Sequence, residues 1–126
     1  MSLADYFENV KGLGVLATSD SDGKVDVAVY SRPYIIDETT IAFSMLERLS
    51  YSNVQSNPRA AYMFVEQGKG YAGKRLYLTR TGEEKDPERI KAVKQQRART
   101  REPDEQIRHL VYFTVDKIRP LVVDKP

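Results

Sequence analysis

The chain has 126 residues, 40% of them hydrophobic, with 20 Lys and Arg against 18 Asp and Glu for a net charge of +2. That length suits one domain with a modest core, and the near-balanced charge gives no ground for nucleic acid as a partner. The absence of Cys excludes disulfides, iron–sulfur clusters and thiolate zinc sites.

Ser2 followed by Asp5 has the form of a capping box, which predicts a short helix to about Asn9. This opening stretch, MSLADYFENV, has neither the basic start nor the apolar centre of a signal peptide, and no apolar run nears the roughly 20 residues of a membrane span. A cytoplasmic protein is expected. Gly12 to Ser19 reads as a strand, and DSDG (Asp20 to Gly23) as a hairpin turn in which Gly23 takes positive φ. KVDVAVYSRPYII then reads as one long strand, with Val25, Val27 and Val29 alternating against Asp26, Ala28 and Tyr30. Pro33 cannot donate a ladder hydrogen bond, so this strand must bend, bulge or reach an edge there. After the turn DETT (Asp37 to Thr40), Ile41 to Met45 is a third strand.

Glu47 to Ser56 has a weak helical pattern with Leu49 and Val54 as its inward residues, and Asn57-Pro58 ends it. Ala60 to Val65 and Tyr71 to Thr81 are two further strands around the loop EQGKG. Asp86 before Pro87 starts a charged helix over about 87–101, with Ile90, Val93 and Ala98 available to pack. HLVYFTVDKIRPLVV is the final strand. About six sequential strands in so short a chain favour a closed or partly closed antiparallel barrel, mainly β with short helices, over a sandwich. The whole span 1–126 is expected to be a single domain.

Side chains suited to acid–base or metal chemistry are few. His109 is the only His and opens an apolar strand, which suits a structural or exposed role. No GxSxG, HExxH, GxGxxG or P-loop pattern is present, and the paired carboxylates lie at turns. No catalytic side chain and no metal ligands are expected. Three stretches have the chemistry of binding. In FSMLERLSYSNV, Ser44, Arg48, Ser50, Ser52 and Asn53 cluster at a strand end and a helix start, where unpaired N–H groups and a guanidinium can cradle phosphate. The same residues also suit a plain connector helix capped by Ser50. YSRPY (Tyr30 to Tyr34) combines a cation, aromatic faces and a strand break, as a flat anionic ligand or an ordinary edge strand would require. Arg89, Lys91, Lys94, Arg97, Arg99 and Arg101 form a basic run, but acidic flanks and the lack of interleaved aromatics point to a solvated surface helix. Eight Tyr and four Phe exceed what this core needs, so some of them should serve an interface or a flat ligand.

Four segments, in this order, resemble the FMN-binding split barrels of the pyridoxamine 5′-phosphate oxidase-like family. They are GVLATSDSDGKVDVAVYSRP, TIAFSM, RLSYSNVQSNPRAAYMF and HLVYFTVDKIRPLVV, covering the chain from about Gly12 to Val122. The resemblance implies a six-stranded split barrel, a homodimer, and FMN at the dimer interface. It implies that the cofactor phosphate is held by Ser44, Met45, Arg48, Leu49 and Ser50, and that the ring lies along Val29, Tyr30, Ser31 and Arg32. Members often carry basic residues where this chain has Leu49 and Ser50; Arg48 and Arg32 are the substitutes at hand. An oxidoreductase exchanging electrons with a small molecule follows, and a catalytic side chain is not required. The same fold also serves non-catalytic flavin- or haem-binding modules and deazaflavin-dependent reductases. The Arg-x-His ending of the oxidase proper is absent from IRPLVV.

Overall fold

A computed structural model of the chain describes residues 2–68, 70–95 and 108–122. The elements are α1 (Leu3–Asn9), β1 (Gly12–Ser19), β2 (Val25–Val29), β3 (Tyr34–Ile35), β4 (Thr40–Leu46), α2 (Leu49–Ser56), β5 (Arg59–Glu66), β6 (Gly73–Glu84), α3 (Pro87–Lys94) and β7 (Arg108–Pro120). The local signals act as their chemistry requires. Ser2 Oγ accepts the Asp5 N–H at 3.1 Å and caps α1. In the β1–β2 turn Asp20 Oδ1 accepts the N–H groups of Asp22 and Lys24, both at 2.9 Å, and Gly23 sits at φ 83°. Asp86 caps α3, with Pro87 in its first turn. Extended backbone at Asn57 stops α2.

Seven antiparallel strands form one sheet in the order β2-β1-β5-β6-β7-β4-β3. The long second strand expected from the sequence is therefore two strands, and they lie at opposite edges of the sheet. Residues 30–33 carry the chain from one edge to the other. A flat sheet of this width would separate its edges by roughly 29 Å, six spacings of about 4.8 Å. The step from Val29 to Tyr34 spans at most about 18 Å when fully extended. The sheet must curl until its edges approach, which gives a split barrel.

Tyr62, Phe64, Phe43, Phe113, Leu16 and Leu76 fill the interior, all essentially inaccessible to solvent. From α1, Tyr6 and Phe7 plug one end, Phe7 meeting Phe64 edge-on at 5.3 Å between ring centroids. A second cluster lies on the outside of β4 and β7, where Val93 and Ile90 of α3 cover Ala42 and Leu110.

Two boundaries and one orientation differ from expectation. Strand β6 starts at Gly73, leaving Tyr71 exposed, and runs on to Glu84, because β7 pairs along its whole length through two bulges. The charged helix is described over Pro87–Lys94; Arg97, Ala98, Arg99 and Arg101 lie outside the described residues. In α2 the buried residues are Ser50, Asn53 and Val54, whereas Leu49 is 58% exposed. Leu49 and Val54 are five residues apart, about 140° around a helix, and cannot share its inner face.

Candidate functional site

The crossing segment 30–33 and the corner between β4 and α2 meet at Tyr30. Its ring stands edge-on to Phe43 at 5.8 Å, and its phenol lies against the Ser50 hydroxyl in the first turn of α2. Burial raises the Tyr30 pKa, while the Ser50 hydroxyl and the charge of Arg108 pull it down. The two stretches that the sequence marks separately are thus neighbours.

The crossing segment is anchored from three sides. The Tyr30 N–H donates to Gly14 O at 3.0 Å. Tyr62 Oη donates to Tyr30 O at 3.1 Å and to Ser31 O at 3.2 Å. Arg32 Nη1 donates to Phe7 O at 2.7 Å, with Glu8 O and Val10 O each at 3.5 Å. The Arg32 guanidinium therefore caps the C-terminal carbonyls of α1, and its backbone belongs to the crossing. Ser31 and Val29 are exposed beside it.

At the corner, Arg48 is the N-cap residue of α2 in extended conformation, and its side chain makes no capping bond. The first-turn N–H groups of α2 are consequently not covered by a capping side chain, and the exposed Arg48 guanidinium stands next to them. Leu49 is exposed and Ser50 is buried. On β4, Met45 is fully buried in the barrel core. Ser44 points to the opposite face, and its Oγ is buried with no hydrogen-bond partner among the described residues. Asn53, one of the cluster that the sequence offers to a phosphate, instead donates to Thr18 Oγ1 at 3.0 Å inside the fold.

Behind the corner lies a polar cluster that the sequence does not reveal. His109 Nδ1 is 2.7 Å from Glu83 Oε2, and its Nε2 is 2.8 Å from Glu47 Oε1. The imidazole stacks on Tyr51 at 4.3 Å and 20°, and Tyr51 Oη donates to Glu83 Oε1 at 2.6 Å. Lys85 pairs with Glu83 at 3.1 Å. Burial by itself would raise the Glu83 carboxyl, but hydrogen bonds from Tyr51, Lys85 and His109 hold it below its ordinary range. Its hydrogen bond to Glu83 pushes the Tyr51 phenol up to about 12. The cluster ties α2 to β6 and β7. It depends on β4–β7 pairing, which sets Met45 opposite His109. Among the described residues no group of three or more His, Asp and Glu side chains is placed to hold a metal ion, and none of the helices is long and apolar enough to cross a membrane.

The outer face of β2, β1 and β5 is apolar. Val25, Val27 and Val29 are 82%, 68% and 71% exposed. Val29 stands opposite Val15 and Val27 opposite Ala17, which in turn face Met63 and Ala61. Leu13 extends the same row along β1 and is also exposed.

No family model and no curated protein matches the chain. Solved structures do. An FMN-binding protein from Syntrophomonas wolfei subsp. wolfei superposes with a TM-score of 0.81 at 19% identity, covering 98% of this chain and 86% of that one. A candidate pyridoxamine 5′-phosphate oxidase from Lactobacillus delbrueckii gives 0.69 at 17% identity, over 93% and 89% of the two chains. An F420 reductase gives 0.67 at 17% identity, over 86% and 89%. At these identities the likeness is one of fold: the chain has the split β-barrel of pyridoxamine 5′-phosphate oxidase-like flavin proteins.

Proposed function

We propose that this protein is a cytoplasmic, homodimeric FMN-binding oxidoreductase, with the cofactor between the crossing segment and the first turn of α2. The observation that carries the reading is the junction at Tyr30, which brings the crossing backbone, exposed at Ser31, next to a helix start that has no side-chain cap and carries the exposed Arg48. The residues fit the cofactor. Arg48 and the N–H groups of Leu49 and Ser50 offer charge and donors to a phosphate. Ser44 and Met45 supply the strand end that leads into this turn, and Ser44 Oγ, buried without a partner among the described residues, is a further hydroxyl for an anion. The backbone of Val29, Tyr30, Ser31 and Arg32 forms the support for the ring, held by Tyr62 and by the end of α1. When bound, the flavin supplies the redox chemistry; the chain binds it, orients it and excludes water, and no side chain is assigned as acid or base.

The partner surface is the apolar face of β2, β1 and β5. Three valines exposed in alternation on an edge strand are a ready template for aggregation unless covered, and a second copy of the chain covers them in an isologous contact. Likeness to an F420 reductase supports a second reading, a deazaflavin-dependent reductase using the same turn of backbone. Absorption spectroscopy of the purified protein, followed by parallel fluorescence titrations with FMN and the deazaflavin, tests both. A yellow protein, or tight quenching by FMN, is expected. Colourless protein that quenches neither flavin refutes the assignment, and selective quenching of the deazaflavin favours the second reading.

A further inference from the structure

Tyr62 belongs to β5 and is completely buried, yet its hydroxyl reaches across β1 to the backbone beyond β2. It passes directly over Gly14. A Cβ at that position would lie 1.8 Å from Tyr62 Oη and 2.5 Å from Tyr30 O. A side chain at residue 14 and this reach of Tyr62 exclude one another.

The two acceptors are unusual. Successive carbonyls along a strand point in opposite directions. Here the carbonyls of Tyr30 and Ser31 converge on one hydroxyl, so the chain turns sharply as it leaves β2. Each peptide unit is trans and planar, which sets the N–H opposite its own carbonyl. Drawing both carbonyls inward therefore aims the N–H groups of Ser31 and Arg32 away from Tyr62, towards the outside of the barrel. Arg32, clasping the end of α1, fixes the far side of the same turn.

We infer that Tyr62 is a positioning residue for the cofactor: its hydroxyl sets the peptide orientation that presents the Ser31 N–H group to the polar edge of the flavin ring. The inference rests on the FMN reading above. Hydrogen-bond donors aimed at the ring edge favour the electron-rich reduced ring over the oxidised one, so Tyr62 acts on the redox equilibrium and not on affinity alone.

The test is Tyr62→Phe, which removes one oxygen and keeps the buried ring. FMN dissociation constants are measured for the oxidised and reduced cofactor, with the two-electron potential of the bound flavin read separately. The variant should lose roughly 3- to 10-fold in affinity for oxidised FMN, the scale of one neutral hydrogen bond, and about tenfold more for reduced FMN. That difference appears as a potential about 30 mV more negative. Phe64→Leu, in the same strand and the same core, serves as the control for plain destabilisation; it lowers the melting temperature and leaves the potential unchanged. A Tyr62→Phe protein with the wild-type potential overturns the positioning role while the FMN reading stands. Wild-type protein that binds no FMN overturns both.

Discussion

Replacing Val27 by Asp puts a carboxylate in the middle of the β2–β1–β5 outer face. Val27 is 68% exposed in the single chain. Burying a Val side chain completely is worth about 1.5 kcal/mol at the low end of the usual range, so covering two thirds of it contributes about 1 kcal/mol. In an isologous contact the residue counts once on each copy, giving about 2 kcal/mol and a factor of roughly 30 in the dimer dissociation constant. The carboxylates add a desolvation penalty of several kcal/mol per ion, which takes the expected weakening beyond about a thousandfold. Sedimentation velocity at micromolar concentrations reads this directly: dimer for the wild type, monomer for Val27→Asp. Lys91→Glu, on the exposed side of α3, should remain dimeric. The monomer should also lose FMN, since the proposed site adjoins the same edge of the sheet. A Val27→Asp protein that sediments as the wild type refutes the assignment of this face; a monomer with wild-type FMN affinity refutes the link between assembly and the cofactor.

Arg48→Ala removes a charge-assisted phosphate contact of about 1.5–3 kcal/mol and should raise the FMN dissociation constant roughly 10- to 150-fold; an unchanged constant by fluorescence titration would show that the guanidinium does not meet the phosphate. Asn53→Ala leaves the buried Thr18 hydroxyl without its donor and should lower stability by about 1–3 kcal/mol in a urea titration, with a loss below about 0.5 kcal/mol counting against the bond. Glu83 is held below its ordinary pKa, so its contribution is complete above the unfolded value near 4.5 and is lost as pH falls through the folded value. Thermal melts of Glu83→Gln should therefore fall less steeply than the wild type below that pH, and parallel curves would contradict the linkage. Tyr51 behaves in the opposite sense: its pKa is raised to about 12, so its contribution is complete below pH 10 and disappears as pH climbs through that raised value. Tyr51→Phe should flatten the alkaline limb of the melting curve, and an identical limb would remove the assigned cause.

Features fixed by a few neighbouring residues were readable from the sequence. The Ser2 cap, the Asp20 turn with Gly23, the Asn57 stop and the Asp86 cap each need only side chains within about four positions. The strands were legible for the same reason, save where tertiary pairing decides. Pro33 marks a break locally, but that β2 and β3 end up at opposite edges is decided by pairing, β2 with β1 and β3 with β4 on the far side of the curl. On α2 the expected inward Val54 is buried but Leu49 is not; the inner face is the i, i+3, i+4 set Ser50, Asn53 and Val54, polar by composition and buried by geometry, which hydrophobicity alone does not mark. Proximity of Tyr30 to Ser50 was implied only by resemblance. The Glu47–His109–Glu83 bridge was beyond reach, since it joins three distant segments through strand register.

Strand β4 carries the corner that leads into α2, and among the described residues its neighbours in the sheet are the two-residue β3 and the long β7. Until β7 is laid down, β3 and β4 are a hairpin with no strand pairing to β1, β2, β5 and β6, joined to them by the crossing segment and by core contacts such as Phe43 against Tyr62. About 120 residues must therefore be synthesised before the sheet can be completed, and a chain cut short of β7 keeps an open sheet margin that proteases can recognise.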